Sequence, residues 1–497
     1  MHRFIHSILM TCVGTMSGVS IADEPIALRL IADTYVEGGL EIVGYDDQHD
    51  RLHAIGLHGR YVLDFDDENR AGVLSTSVFS ATQQWDATSL AIDPMGRGFA
   101  AVSWIPSPPD SMPGVVQIID LASGDPVWQF NIGYHPDCVM FSPDGSAFYA
   151  ANEGEPHSTD HKGAITIADL DGIEAPIDFA GFNTIRTYPI DDPHLAEGVD
   201  VSVLRVKPEH ADDPSVDIEP EYIAPTPGGA WVSLQENNGL AFFDLASRQW
   251  TVVRSMGTLS FPFDVSEDDG FRMHSGDEFG LLPLPDTIVM YEALGRSFIV
   301  SANEGEKLDG HEMRLGEAID EGLIDPALVE RLHASIGDLS ERGADRVYIS
   351  TIDGDGDGDG DIDRLCVQGG RSVSIIDAAS GVTVWNSGPQ IELITGMEFP
   401  ELYNAGDTRS DRAGPEPEGI AIHTHDGRTL MAVGLERTNA IMLYDITLPY
   451  SPVFLDAIAL SDGCAGPEGM TMFVRNGRLL LAVASEKGGC LSIFEID

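Results

Sequence analysis

PEGIAIHTHDGRTLMAVGLERTNAIMLYD, residues 417–445, is the unit from which the fold is read. Pro417 and the acid Glu418 open an alternating apolar run, and Asp426-Gly427 supplies a tight turn. A second run leads to Glu436, and a third, Ile441 to Tyr444, ends on Asp445. Short β-rich runs joined by turn residues make an antiparallel meander. The same landmarks recur along the chain. A run ending in Asp at a turn stands at Gly114–Asp120, Leu240–Asp244 and Ser372–Asp377, and three of these continue alike as Asp120-Leu-Ala-Ser123, Asp244-Leu-Ala-Ser247 and Asp377-Ala-Ala-Ser380. Such an Asp is suited to cap its own turn.

The opening Pro-acid and the returning Glu also repeat. Asp137 is followed by Glu153, Glu221 by Glu236, Asp286 by Glu304, Glu418 by Glu436 and Glu468 by Glu486, each 15 to 18 residues later. That separation holds one strand, a turn and one strand back. Weaker copies begin at Asp86, ahead of Ser103, and at Glu41, ahead of Ile42-Val-Gly-Tyr45, which makes seven. Where nothing is inserted the units start roughly 50 residues apart, the period of four-stranded blades. The expected fold is all-β, a seven-bladed β-propeller over residues 23–497. The last unit has chain for only three strands, so the β-like run from Ile26 to Tyr35 is expected to complete it and remove the open sheet edge. Two insertions interrupt the pattern. Residues 183–218, rich in Asp and Pro, read as surface loop, and residues 307–365 as a partly helical excursion with a helix near Pro326–His333.

The formal charge is −53, from 28 Lys and Arg against 81 Asp and Glu. So negative a field repels nucleic acid and anionic membranes and makes cations the natural partners. His2, Arg3 and His6 precede an apolar stretch from Ile8 to Ile21, which reads as a signal peptide over residues 1–22. No later run approaches the length of a membrane span. A secreted or periplasmic location is expected, without an anchor after Asp497. Cys138, Cys366, Cys464 and Cys490 then remain in an oxidising compartment. Cys464 with Cys490 is the favoured pair, since both fall in the last repeat, with free buried thiols the alternative.

Two acidic features carry candidate chemistry. Asp353, Asp355, Asp357, Asp359, Asp361 and Asp363 alternate with glycines and one isoleucine, an array of hard oxygen donors on pliant backbone that suits calcium. Read as an EF-hand loop from Asp353 it has Gly358 at the sixth position but Arg364 at the twelfth, so it is incomplete. The second feature is geometric. The innermost strand of a blade and its neighbour are antiparallel, so the start of one lies beside the end of the other. The paired acids Asp137, Glu153, Glu221, Glu236, Asp286, Glu304, Glu418, Glu436, Glu468 and Glu486 should therefore gather at one mouth of the central channel. Cations, protons or backbone donors must compensate them. His423 and His425 could share a strand face, though an exposed hairpin is their simpler setting. Arg409 and Arg412 could hold a phosphate or carboxylate, or pair with neighbouring acids. No Gly-x-Ser-x-Gly, His-Glu-x-x-His, Cys-x-x-Cys or phosphate loop occurs.

The strings Ala151-Asn-Glu-Gly-Glu155, Glu219-Pro-Glu-Tyr222, Leu234-Gln-Glu-Asn-Asn238, Ala302-Asn-Glu-Gly-Glu306, Gly369-Gly-Arg-Ser-Val-Ser374, Gly414-Pro-Glu-Pro-Glu-Gly419, Gly434-Leu-Glu-Arg437 and Pro467-Glu-Gly469 resemble the choice-of-anchor I family. The resemblance runs over essentially the whole mature chain. It implies a secreted propeller and calcium, in a family with mesenchyme-specific cell-surface glycoprotein-like and alkaline-phosphatase-like labels. Ser485-Glu486-Lys487 and Cys366 depart from the family pattern. The expected function is a calcium-binding module for an extracellular ligand, with a calcium-dependent phosphoester hydrolase, alkaline phosphatase- or phytase-like, as the alternative.

Overall fold

The computed structural model describes residues 26–497 apart from 57–58, 80–83, 108–111, 155–160, 275 and 309. The leader expected over residues 1–22 lies outside the described residues. Seven four-stranded antiparallel sheets form. Their innermost strands, in chain order, are Val43–Asp46, Trp85–Ile92, Pro136–Phe141, Pro220–Thr226, Pro285–Ala293, Pro417–His425 and Pro467–Arg475. The seventh sheet closes as expected. Leu28–Tyr35 pairs antiparallel with Cys490–Ile496, from Leu28 opposite Ile496 to Tyr35 opposite Cys490. The Leu28 amide also donates to Asp456 Oδ2 of the sixth blade at 2.8 Å.

Each sheet is covered on both faces by its neighbours, which explains why second strands such as Arg428–Leu435 and Arg478–Ser485 are apolar almost throughout. An apolar core fills each of the seven seams between blades. Ile55 meets Val102 and Trp104 between the first two, and Phe473 and Leu480 meet Leu52 and Ala54 where the ring closes. The outermost strands face water and turn polar, as in Ala71–Ser77. The turn caps also form. Asp120, Asp244 and Asp377 accept from the amides of Ser123, Ser247 and Ser380 at 2.8, 2.7 and 2.8 Å.

The insertions differ from the sequence expectation. Ile185–Pro189, placed in a loop over 183–218, is the outer strand of the third blade, paired with Ala164–Ala168. An outer strand is half exposed, so its apolar signal is weak beside the Asp and Pro that follow. The helical excursion lies within the fifth blade and carries α1 (Leu315–Glu321) and α2 (Pro326–Ile336), with Asp325 capping α2 by accepting from the Leu328 amide at 2.8 Å. It does not stand alone. Residues 256–284, between the fourth and fifth blades, contribute Phe263, Val265, Phe279 and Leu281 to one small core with Leu328, Leu332 and Val367. Phe279–Leu282 and Leu365–Gln368 pair as parallel strands. A third helix, α3 (Gln390–Glu398), follows the fifth blade. Among the described residues no helix is long and apolar enough to cross a membrane.

Cys464 and Cys490 are joined by a disulfide in the seventh blade, while Cys138 and Cys366 are buried free thiols. The closing strand and this bond tie the same blade. Deleting residues 26–35 is expected to lower the melting temperature by on the order of 10 °C or more, because it opens a sheet edge and uncovers the seam to the first blade. An unchanged melting curve would show that the ring does not depend on its closing strand.

Candidate functional site

Six of the seven innermost strands share a local irregularity. The register slips by a residue near their start, directly after Pro136, Pro220, Pro285, Pro417 and Pro467 and after Ala87 in the second blade. Bulges of this kind re-aim a side chain and recur beside functional sites. The residue before the proline adds a turn, since His135, Leu284 and Glu416 take φ of 45°, 50° and 48° and Gly466 takes 69°. Left-handed backbone is unfavourable at the three non-glycine positions and is held there by the surrounding ring. Acids placed at the slip line the channel. Glycines then let neighbouring blades close around it. A Cβ on Gly419 would overlap the carbonyl oxygen of Glu468, and one on Gly469 that of Glu41.

The result is a cavity of about 420 Å³ at one mouth of the channel, with one acid from each blade on its wall: Glu41, Asp86, Asp137, Glu221, Asp286, Glu418 and Glu468. Glu304, Glu306, His135, Gln235 and Tyr222 also line it, with Ile42, Ala87, Thr88 and Ile105. Beyond it the channel is lined mainly by apolar side chains such as Ile42, Leu90, Met140, Val289 and Ile420. Of the ten acids expected here, Asp137, Glu221, Asp286, Glu304, Glu418 and Glu468 line the cavity. Glu153 sits just beside it, its Oε2 2.5 Å from His135 Nδ1. Glu436 is buried next to Glu304 and Glu416. Glu236 and Glu486 are corrections. Neither lines the cavity, and Glu486 is exposed, although its charge still acts on Glu41. Glu41 and Asp86, read from sequence only as blade starts, belong to the wall.

Compensation divides the ring. Glu416, 1% exposed, receives Arg409 Nη2 at 2.6 Å and Arg437 Nε at 2.6 Å. Arg437 also lies 2.9 Å from Glu436, which pairs with Lys487 as well. So Arg409 pairs with an acid, the simpler of its expected roles. Asp286, Glu304 and Glu418 have oxygens within 4.8 Å of one another, and among the described residues no Lys, Arg or His pairs with any of the three. Glu304 accepts one bond, from the neutral Gln235 Nε2 at 2.7 Å. Glu418 Oε2 is buried without a partner. Burial and neighbouring charges act accordingly. Burial, then Glu486, Asp137 and Asp86, pushes Glu41 up to about 8, and burial with Asp137 and Glu436 pushes Asp286 up to about 7. Burial first, then like charges, holds Glu304, Glu418 and Glu468 well above the carboxylate range. One side of the mouth is salt-bridged; the other holds carboxyl groups that require a proton or a metal ion.

The family profile for the choice-of-anchor I domain matches residues 41–449. The chain belongs to the choice-of-anchor I family. Among curated proteins this choice-of-anchor I chain is similar to the mesenchyme-specific cell surface glycoprotein of Strongylocentrotus purpuratus, 26% identical over 38% of this chain and 30% of that protein. It is also similar to gigasin-3a of Magallana gigas, 30% identical over 19% of this chain and 38% of that protein. The chain thus spans about a third of the length of the curated relatives it matches. Solved structures to which it is similar include the β-propeller domain of Myceliophteria thermophila Cps50 (Swd1), at 10% identity and TM-score 0.46 over 95% of this chain and 100% of that one. The WD40 repeats of RRP9 match at 7% identity and TM-score 0.48, over 95% and 99%.

The Asp-Gly loop of this choice-of-anchor I domain is only partly convergent. Asp355, Asp357 and Asp359 bring oxygens within 4.8 Å of one another and are exposed. Asp353 instead pairs with Arg205 Nε at 2.7 Å, and Asp363 Oδ2 accepts from the Gly356 amide at 2.9 Å. Asp361 stands outside the convergent set. Three of the six alternating donors therefore converge, and these three also accept loop amides, from Gly358 and Gly360 to Asp355, from Asp359 to Asp357 and from Asp361 to Asp359. His423 and His425 lie on a partly exposed hairpin and join no metal-competent group among the described residues.

The raised carboxyls fix a pH dependence. Their unfolded values lie near 4 and their folded values at about 7 and 8 for Asp286 and Glu41, so the folded state binds more protons across that window. The stability they contribute is complete below the unfolded values and is lost as pH rises through the folded ones. In chelator the melting temperature is expected to fall between pH 5 and pH 8, and Glu418→Gln should flatten the fall and raise stability at pH 8. A flat profile in the wild-type protein would mean that these groups ionise freely.

Proposed function

We propose that this chain is an extracellular, calcium-dependent binding module whose metal lies at the channel mouth. The observation that carries the proposal is the cluster of Asp286, Glu304 and Glu418, with no Lys, Arg or His in ion-pair contact among the described residues and backed by Glu468 and Glu41. The donors are all carboxylate oxygens, which suit a hard divalent ion, and their number and mixed geometry favour calcium over magnesium. A divalent ion here would replace the protons that the carboxyls otherwise retain, and a partner's oxygen donors would complete its shell. Asp355, Asp357 and Asp359 form a second, weaker and exposed place for calcium. The extracellular assignment draws support from the name of the cell-surface glycoprotein relative.

A second reading, a calcium-dependent phosphoester hydrolase, is favoured by one feature of the same cluster. Several carboxylates within 4.8 Å of one another can hold a metal that binds phosphate and acidifies an attacking water. Without the metal, so negative a face repels phosphate.

Calcium in excess is expected to raise the melting temperature at pH 7.5, as any ligand confined to the folded state must. Glu304→Gln with Glu418→Gln should remove most of that shift, and Asp355→Asn with Asp357→Asn and Asp359→Asn only a minor part. No shift in the wild-type protein would sink the calcium reading. Hydrolysis of a chromogenic phosphomonoester, a phosphodiester or phytate that needs calcium and is lost in the double Gln variant would replace the binding module by the hydrolase.

A further inference from the structure

Beside the carboxyl cluster lies a second pocket, of about 220 Å³, in which the charge changes character. Its wall is shared with the channel mouth through Glu304 and Glu306, Glu312 and Glu416 also border it, and its cations are Lys307, Arg409, Arg412 and Arg437, with Tyr348 and Gln368 between them. In a chain of charge −53, three guanidinium groups around one small cavity are a departure that salt bridging does not fully account for. Arg409 and Arg437 are committed to Glu416. Arg412 is not committed in this way. Among the described residues the carboxylate nearest to it is Asp411, at 3.9 Å, and Asp411 lies closer to Arg314, at 3.4 Å. The Arg412 guanidinium instead lies on the Tyr348 ring, 4.5 Å from its centroid, and donates from Nη2 to the Tyr348 hydroxyl at 3.3 Å. Stacking of this kind leaves guanidinium edges directed outward as donors.

Gln368 provides the second, independent observation. It is 7% exposed, and its Nε2 has no hydrogen-bond acceptor. A buried amide donor without a partner is costly, and native proteins rarely keep one without a use. The surrounding construction keeps this cavity open and fixed. Gly305, at φ 114°, lies against Gly369, where a Cβ would overlap the Gly369 backbone. The fully buried Arg371 donates to the carbonyls of Ser410 and Arg412, which sets the backbone that carries the Arg412 side chain. Arg371 is itself held by Glu392 at 2.7 Å, both residues being at most 1% exposed.

We infer that this pocket is an oxyanion subsite, which takes the phosphate or carboxylate group of a ligand between Arg412 and Gln368. The two donor sets suit a group with at least two acceptor oxygens, since a guanidinium edge and an amide approach from different directions. Glu304 borders both cavities, so a metal ion on Asp286, Glu304 and Glu418 faces the same group from the other side. The enhancement by metal rests on the calcium reading given above; the binding of the anion by Arg412 and Gln368 does not.

The test uses the full chain with two probes, methyl phosphate and acetate, titrated calorimetrically in chelator and in calcium, with calcium affinity measured separately. The expected result is saturable binding of one probe, tightened by calcium and weakened about tenfold or more by Arg412→Gln, the loss of a charge-assisted bidentate contact. Gln368→Leu separates binding from folding. It should weaken the probe while leaving the melting temperature unchanged or raised, because it removes an unsatisfied donor. Preference for methyl phosphate identifies a phosphorylated ligand, and preference for acetate a carboxylated one. Failure of both probes in calcium, or equal binding by wild type and both variants, overturns the subsite even if calcium still binds. Binding in chelator without any calcium affinity would uphold the subsite and sink the metal.

Discussion

Carboxyl groups converging on a closed ring repel one another, and that repulsion organises the functional face of this protein. A propeller of seven blades that each begin with an acid must place seven like charges around one channel. The ring is protein-lined and low in dielectric, so the repulsion is poorly screened. Arginines and a lysine relieve it around Glu416 and Glu436, His135 relieves it at Glu153, and Asp286, Glu304 and Glu418 are left to a proton or a metal ion. Retaining a proton at neutral pH has an energetic cost that a structural role alone does not explain, because seven neutral residues would close the same ring with no such cost.

The backbone makes this convergence possible. A bulge after the opening proline turns Asp137, Glu221, Asp286, Glu418 and Glu468 inward, and glycine after Glu418 and Glu468 allows adjacent blades to touch through their backbones. The apolar seams between blades hold this arrangement from outside, with the N-terminal strand as the last clasp. The excursions from the fourth and fifth blades pack into one apolar core beside the ring, and Arg371, held by Glu392 of α3 and bonded to the Asp264 carbonyl of the first excursion, fixes the segment that carries Arg412. Fold and site therefore share the same residues.

Much of this was legible in the sequence, for a physical reason. Strand and turn residues repeat because each blade meets the same constraints, so the seven units, the closing strand and the turn-capping Asp120, Asp244 and Asp377 could be read directly. The opening acids could be read because each follows a proline at a fixed offset from its strand. Glu41 and Asp86 lack that proline and were recognised only as blade starts. Contacts between distant segments left no periodic signal, so the pairing of Phe279–Leu282 with Leu365–Gln368, and the pocket between Gln368 and Arg412, emerge only in three dimensions. In the loop from Asp353 to Asp363, alternation of acid and glycine specifies donors but not where they point.

The central claim is that the unpaired carboxyls of the ring exchange protons for a metal ion. Calorimetric titration of calcium at pH 6.5, in buffers of different ionisation enthalpy, measures that exchange directly. The account predicts release of about one proton or more for each calcium bound, with release abolished together with binding in Glu304→Gln plus Glu418→Gln. Calcium binding without proton release, or binding that survives the double substitution, would contradict it.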